Sequence, residues 1–263
     1  MAAWSMSASS IDVSLVEVAG ALVLVGVAVV VSLWQRADLE RDIAVSVARA
    51  FVQLTAIGYV IQLIFDQDNL VFVIALITVM VVFGALTARN RARRVPGAFW
   101  PLLGALAVAG FSTLLLVVAL GIFEPKARFL VPVGGMVVGN AMTAAAVALN
   151  RLGDEVHSSL GQIEATLALG ATSTQAMLPI IRRSLRSGMI PLIDSTKTTG
   201  LIFFPGTMVG MLLAGADPID AVRLQLVLLY TLLGSVAIAA LLSTLLAYRN
   251  FFTGAHQLRD LPN

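Results

Sequence analysis

The sequence has no cysteine and little charge for its length. Of its 263 residues, 12% are charged and 59% are hydrophobic, whereas about 25% of residues in a soluble domain are charged. Without cysteine there can be no disulfide, thiolate metal site or cysteine nucleophile. The 17 Lys and Arg nearly balance the 15 Asp and Glu, which argues against binding to nucleic acid. The composition excludes a soluble enzyme and predicts that most of the chain lies in a membrane.

Long apolar runs take up most of the chain, and we expect them to cross a lipid bilayer. A helix needs about 20 apolar residues to cross the hydrocarbon core, and helices satisfy their own backbone groups there. We therefore predict an all-α integral membrane protein with about seven transmembrane helices, in which residues 1–263 form a single membrane domain. The runs lie at 13–35, 43–65, 70–88, 98–123, 129–149, 190–214 and 224–248.

The arginines predict how the helices are oriented. Most of them lie in alternate connecting segments, whereas the other connections contain only Lys126, Arg128 and Arg223. Basic residues are concentrated on the cytoplasmic side of membrane proteins. The N-terminus is therefore predicted to lie outside and the C-terminus in the cytoplasm. The arginine-rich segments are 36–42, 89–97, 150–187 and 249–263.

Only one connection, at about 150–187, is long, and we expect it to form a cytoplasmic loop. It is predicted to contain two helical pieces that are separated at Gly170. The second piece is amphipathic, with arginines on one face, and could lie on the anionic inner leaflet. The first piece, in which Glu164-Ala165 precedes Gly170 by six residues, resembles the EAA loop of ABC-transporter permeases. In those permeases this loop is the coupling helix that docks on the ATPase.

The resemblance implies a contact with a partner ATPase. The residues expected to couple to it are Glu164, Ala165, Leu169, Gly170, Arg182 and Arg183. The sequence has no G-x-x-x-x-G-K-[ST] phosphate loop, since neither of its two lysines follows such a glycine pattern. We therefore expect a transport subunit, not an enzyme, with no cofactor of its own and with ATP and Mg bound by the partner.

Polar side chains inside the apolar runs are candidates for a translocation pathway, because they are costly in hydrocarbon. Arg49 alternatively extends to the inner headgroups, and Asp194 and Lys197, three residues apart, alternatively form a structural ion pair. The candidate pathway residues are Arg49, Gln53, Asn140, Asp194 and Lys197.

Small residues in two of the runs are candidates for close helix packing or hinges. Two G-x-x-x-G patterns are present, and a proline precedes the second of them. Neither His157 nor His256 indicates a metal site, so any metal ligands are unknown. The packing and hinge candidates are Gly135, Gly139, Pro205, Gly206 and Gly210.

Taken in order, several motifs resemble the FetB family of ABC permeases over nearly the whole chain. They are RAFVQL (49–54), GNAM (139–142), LALGAT (167–172), DSTKTTGL (194–201), PGTMVG (205–210), AGADP (214–218) and HQL (256–258). Members of that family are bacterial inner-membrane proteins that work with a separate ATPase, FetA, in iron export. Plant relatives are linked to aluminium tolerance and to UDP-glucose transport.

The resemblance implies a permease subunit in the inner cell membrane that pairs with itself and with a FetA-like ATPase. It would export iron, another metal ion or a small solute, although the predicted spans contain Asp194 and no histidine as iron ligands. One alternative is an importer permease, because EAA loops are typical of importers. Another is a membrane-embedded lipid-modifying enzyme, but the usual D-D-x-x-D cluster is missing.

Overall fold

A computed structural model describes residues 15–67, 69–254 and 257–259. Within these residues the chain forms nine α-helices, a short 3-10 helix at Tyr248–Phe251 and no strand longer than an isolated bridge. The α-helices are α1 (Leu15–Gln35), α2 (Glu40–Gln67), α3 (Leu70–Arg91), α4 (Phe99–Ala119), α5 (Ala127–Ser158), α6 (Leu160–Ala168), α7 (Ser173–Thr198), α8 (Gly206–Leu213) and α9 (Pro218–Ala247).

Six helices of the described residues, namely α1 to α5 and α9, are long and apolar enough to cross a membrane. This confirms the predicted class of helical membrane protein. The run at 190–214 differs from the prediction of a seventh continuous span. There α7 ends at Thr198 and α8 begins only at Gly206. The run is therefore two helical pieces joined by a turn.

The centre of the bundle is α5, which packs against α3, α4, α7 and α9. One side of α5 is lined by alanines that are fully buried, among them Ala141, Ala145 and Ala148. Small side chains allow neighbouring helix backbones to approach closely, which is how membrane helices gain packing energy. The core of the bundle is therefore held by close backbone contact as well as by the larger buried Leu and Val side chains.

The first two helices lie largely outside this core. In the most apolar 18-residue stretch of each helix, 6% of the residues are buried in α1 and none are buried in α2. The two helices contact each other, and α2 also touches α5. Their apolar side chains are consequently available to lipid or to another protein chain.

Three parts of the described chain meet at one end of the bundle, which we call the basic end: residues 89–98, residues 150–176, and residues 248–254 with 257–259. Arg94 forms an ion pair of 2.7 Å with Asp154 at the end of α5. Asn250 donates a hydrogen bond of 2.8 Å to the Pro96 carbonyl, and the hydroxyls of Thr174 and Tyr248 lie 3.0 Å apart. The positive-inside rule predicts that this end lies in the cytoplasm.

The opposite end has short connections between helices. The turn between α4 and α5 contains an ion pair of 2.6 Å between Lys126 and Glu124. The hydrogen bond and positive charge of Lys126 hold the pKa of the Glu124 carboxyl below its usual range. At the next connection, Asp217 caps α9 by accepting from the Ile219 amide at 2.8 Å.

Candidate functional site

The backbone is interrupted between α7 and α8. The hydroxyls of Thr198 and Thr199 donate to the Ser195 carbonyl, and such bonds within a helix weaken and bend it. Gly200 then adopts a φ of 87°, a left-handed conformation that ends many helices. Its amide donates to the Phe203 carbonyl at 2.8 Å. The result is a tight turn between two helices.

The break lies at mid-depth in the bundle. The Thr207 hydroxyl of α8 approaches the Met136 sulfur of α5 at 3.8 Å, and Ser195 of α7 lines one cavity together with Asn140. Because α5 starts at Ala127 and rises about 1.5 Å per residue, Asn140 lies about 20 Å along it. That is within the hydrocarbon core, which is about 30 Å thick.

Non-helical backbone is tolerated at such depth only where protein covers it or where it borders a water-filled space. A small cavity of about 150 Å³ lies beside the break, between α5, α7 and α9. Its polar groups come from Asn140, Thr143 and Ser195. The Asn140 side chain donates to the Met136 carbonyl at 2.8 Å, which leaves its amide oxygen free to accept. The cavity therefore has amide and hydroxyl groups that could contact a polar solute.

The predicted ion pair of Asp194 and Lys197 is formed, with 3.0 Å between Nζ and Oδ1. Both residues are on the last turns of α7, next to Ser195. The negative end of the α7 dipole also favours a cation at the position of Lys197. The two side chains are 59% and 69% exposed for Asp194 and Lys197, so they are directed away from the core of this chain. The structure thus brings Asn140 and the Asp194–Lys197 pair to one level.

Arg49 and Gln53 are not part of this group. Both lie on exposed positions of α2, which barely contacts the rest of the bundle. Neither side chain makes a hydrogen bond or an ion pair with the described residues. Their role in a pathway stays a prediction.

The glycines that pack closely are not those that the G-x-x-x-G patterns indicated. A Cβ at Gly139, Gly206 or Gly210 would meet nothing within 4 Å, and one at Gly135 would only touch Met80 at 3.9 Å. Within the described part of this chain, no helix packs closely on Gly139, Gly206 or Gly210, and Gly135 has only an ordinary contact with α3, so a packing role for these glycines stays a prediction. Pro205 has the expected hinge position, because it is the N-cap of α8.

The close approach is made by Gly188 of α7. A Cβ there would lie 2.7 Å from the Ala144 carbonyl oxygen and 2.9 Å from the Ala148 Cβ, both on α5. It would also lie 3.4 Å from Ala240 on α9. Three helices thus meet at a residue that has no side chain and that lines the cavity.

The segment 150–187 contains the two predicted helical pieces but little loop. Its first residues extend α5 to Ser158, and α6 and α7 follow. Gly170 has a φ of 88° and Leu169 is 89% exposed, so the end of α6 projects from the basic end. Glu164 and Ala165 are exposed on the same short helix, while Ile163 is buried and holds it against the bundle. This is a firm, protruding turn that a partner could contact.

The two arginines expected to couple to a partner differ in their surroundings. Arg183 makes two contacts with the Glu155 carboxylate, at 3.0 Å through Nε and 2.8 Å through Nη2. Arg151 contacts the same carboxylate at 2.5 Å. Arg183 thus joins α7 to α5, whereas Arg182 is exposed and has no ion-pair partner in the described residues. Arg183 therefore has a structural contact within the chain, and the coupling role of both arginines stays a prediction.

Replacing Glu155 by Gln should lower stability. The Glu155 side chain is only 11% exposed and holds two arginines, although the arginines themselves are half exposed and partly screened by solvent. We expect a loss of about 1 kcal/mol, measured as a lower thermal unfolding temperature in detergent. Asp220→Asn, which opens an exposed pair with Arg223, is the control and should change the temperature little. Equal effects of the two variants would contradict the role of Glu155.

The sequence contained signals for Gly188 and Glu155, but they were weak. Gly188 is followed by Pro191 in an amphipathic helix, and this pattern occurs for many reasons, so it does not by itself predict close packing. Glu155 lies four residues after Arg151, which indicates a pair on one helix, but Arg183 comes from 28 residues further on. Among the described residues no group of three or more His, Asp or Glu could hold a metal ion.

The fold and the site define a class: a multi-pass helical membrane protein with a helix interrupted at mid-depth. The comparison with known families agrees with this. A profile described as "Uncharacterised protein family (UPF0014)" matches residues 15–252, and the chain belongs to this family.

Relatives in several organisms share most of the chain. It is 41% identical to Protein ALUMINUM SENSITIVE 3 of Arabidopsis thaliana over 93% of this chain and 90% of that protein. It is 40% identical to UPF0014 membrane protein STAR2 of Oryza sativa over 94% and 87%. It is 37% identical to "Probable iron export permease protein FetB" of Escherichia coli over 90% and 92%. These names confirm the predicted family and the multi-pass membrane location. No solved structure matches the chain.

Proposed function

We propose that the chain is the permease subunit of an ABC transporter in the inner cell membrane. The observation that supports this most is the break between α7 and α8, with Asn140 and the Asp194–Lys197 pair at one depth. Discontinuous helices near the bilayer midplane form the solute sites of many transporters, because their free ends and unwound backbone offer polar groups. A transport subunit also accounts for polar side chains that no core contact requires.

The energy for transport comes from a separate, FetA-like ATPase. This chain has no phosphate-binding loop, but α6 and the turn at Leu169–Gly170 present a firm projection at the basic end. Such a projection suits a groove on an ATPase surface. The exposed α1 and α2 are available for a second copy of the chain, because two ATPases that act as a symmetric dimer require two membrane halves.

The solute is iron, another metal ion or a small polar solute, and the direction is export. The name of the Escherichia coli relative supports iron export. The pathway near Asn140 offers hydroxyl and amide groups but one carboxylate, which Lys197 already neutralises. Iron(II) prefers carboxylate and imidazole ligands. A metal ion therefore passes weakly held, in a complex, or between two copies of Asp194.

Transport by sealed vesicles tests this function. Vesicles would contain this chain and a FetA-like ATPase, and be offered Fe(II), other divalent metals and a nucleotide sugar in turn. We expect ATP-dependent movement of one of these, from the side on which ATP is hydrolysed to the other. No ATP-dependent movement of any solute, with both subunits assembled, would contradict the permease assignment. Movement towards the ATP side would contradict export.

Changing the projecting turn should uncouple the two subunits. In the double variant Glu164→Ala/Gly170→Ala, the alanine at position 170 is strained, because φ is 88° there, at a cost of about 1–2 kcal/mol. We expect the protein to insert normally. Its stimulation of the ATPase should fall by about tenfold or more, because loss of a central interface contact weakens binding by that much. The measurement is ATP hydrolysis by the reconstituted pair.

Gln162→Ala is the matched control for this turn, because Gln162 is exposed on α6 but lies about two turns before Leu169. It should leave ATPase stimulation unchanged. If the double variant also stimulates normally, α6 is not the coupling helix, whereas transport by the wild-type chain would still support the permease assignment.

A further inference from the structure

A second cavity lies at the basic end, in the turn between α3 and α4. It has a volume of about 590 Å³ and is lined by the end of α3, the connection 92–98 and the start of α4. Its charged lining residues are Arg89 and Arg93. The transport pathway and the projecting turn of α6 use none of these residues.

Within the described part of the chain, no acidic side chain pairs with the arginines that line this cavity. Of the arginines at 89–94, Arg94 alone has an ion-pair partner in the described residues, namely Asp154. Arg93 donates only to the Asn90 carbonyl at 3.1 Å, and Arg89 has no polar partner there. Both are exposed. Two free guanidinium groups beside one cavity form a site for an anion with several oxygens, since each guanidinium can donate two parallel hydrogen bonds.

The cavity has a firm frame. Ala92, Val95 and Ala98 are buried in the core, and the connection is held by the Arg94 ion pair and by Asn250. A frame that is already in place loses little entropy when a ligand binds. The turn is therefore built to present its arginines in a fixed arrangement.

The position of the cavity relative to the two apolar helices shows which part of the membrane surrounds it. The apolar helix α3 ends at Arg91 and the apolar helix α4 begins at Phe99, so the cavity lies where the hydrocarbon core ends. Trp100, at the rim, is 73% exposed and packs edge-on against Phe99. Tryptophan with an exposed ring is typical of the membrane–water interface. The phosphate groups of lipids lie at this level.

We propose that this cavity binds the phosphate headgroup of an anionic phospholipid, with Arg89 and Arg93 as its ligands and Trp100 beside the glycerol region. The acyl chains then follow the exposed apolar surface of α3 and α4. An anionic lipid held here joins the connection 92–98 to the membrane and thus fixes the basic end, which also carries α6, relative to the bilayer.

Quenching of Trp100 fluorescence tests this site. The full-length variant Trp4→Phe/Trp34→Phe leaves Trp100 as the one tryptophan and would be placed in phosphatidylcholine nanodiscs. Brominated phosphatidylglycerol or brominated phosphatidylcholine is then added at equal mole fraction. Because each of the two arginines near the membrane surface contributes about 1 kcal/mol towards anionic lipid, and about 1.4 kcal/mol corresponds to tenfold, we expect an apparent preference of about thirtyfold for phosphatidylglycerol.

Two further variants separate a site from general attraction. Arg89→Gln/Arg93→Gln should remove the preference, whereas Arg89→Lys/Arg93→Lys, which keeps the charge, should keep most of it. The matched control is Arg91→Gln/Arg249→Gln, because it removes two exposed arginines of the basic end that do not line the cavity. An equal loss in this control, or an unchanged preference in Arg89→Gln/Arg93→Gln, would overturn the proposal.

A last arm distinguishes lipid from soluble phosphate. Sodium phosphate in excess is added at constant ionic strength to the discs that contain brominated phosphatidylglycerol. A lipid site should keep its quenching, because the acyl chains hold the headgroup at a high local concentration. If inorganic phosphate abolishes the preference, the cavity is a site for free phosphate and the lipid assignment is wrong.

Discussion

Replacing Gly188 by valine is expected to prevent the chain from accumulating in a folded form, and alanine there should already destabilise it. The new Cβ would lie 2.7 Å from the backbone oxygen of Ala144 and 2.9 Å from Ala148, distances that real Cβ atoms do not have. Backbone cannot move aside as a flexible side chain can, so α7 must shift away from α5. Overpacking of this kind costs about 1–3 kcal/mol for a methyl group and more for valine.

The measurement is the yield of monodisperse protein and its thermal unfolding temperature in detergent. Gly234→Ala is the control, because a Cβ there on α9 meets nothing within 4 Å. Alanine is better than glycine in a helix by about 1 kcal/mol, so this variant should be as stable as the parent or slightly more. Normal yield and stability of both Gly188 variants would show that α7 does not pack against α5 as described.

The membrane helices could be predicted from composition because lipid imposes one strong requirement, a run of about 20 apolar residues whose backbone bonds are internal. Six such runs are helices in the structure. The seventh run is apolar enough to meet the composition rule, but it does not form one continuous helix. Its threonines and Gly200 end the helix, and only a kink at Pro205 was expected.

Packing could not be predicted in the same way, because it depends on what lies opposite. Gly188 is close to α5 only because Ala144 and Ala148 face it. The sequence of α7 alone does not predict this contact. The G-x-x-x-G patterns contain the right residue type, yet Gly206 and Gly210 face open space. A G-x-x-x-G pattern identifies a helix face that could pack closely, but it does not show whether the same chain supplies a helix to pack there.

The candidate site was predictable in part for a similar reason. An ion pair at i and i+3 follows from helix geometry, so Asp194 and Lys197 could be paired from sequence. Their position beside Asn140 depends on the register of α7 against α5. Likewise, Gly170 could be predicted to end α6 from its local conformation, but the contact of Arg183 with Glu155 could not be predicted, because the two residues are 28 positions apart in sequence.

Asp194→Asn is expected to reduce transport about tenfold or more while leaving the amount of folded protein nearly unchanged. The carboxylate is 59% exposed, and an exposed ion pair contributes at most about 1 kcal/mol to folding. By contrast, a hydrogen bond to a charged group contributes about 1.5–3 kcal/mol, so a solute that contacts Asp194 loses that much when the charge is removed. The measurements are ATP-dependent transport in vesicles and the unfolding temperature of the same preparation.

Asp220→Asn is a close match as a control. Asp220 forms an i, i+3 pair with Arg223 at 3.2 Å, and their side chains are 66% and 75% exposed. That pair lies at the start of α9 instead of beside the cavity at mid-depth. It should leave both transport and stability unchanged, so a common loss in the two variants would indicate a general effect of removing a surface carboxylate.

Reversal of the pair separates a structural role from a pathway role. If Asp194 and Lys197 only neutralise each other at membrane depth, either single change leaves an unpaired charge at a cost of about 3 kcal/mol, and Asp194→Lys/Lys197→Asp restores both yield and transport. If the carboxylate meets the solute, the single changes and the reversed pair all keep the yield, but the reversed pair moves the negative charge by about one turn, away from Ser195 and Asn140. We expect full yield with transport still impaired, because position as well as charge decides whether a solute is bound.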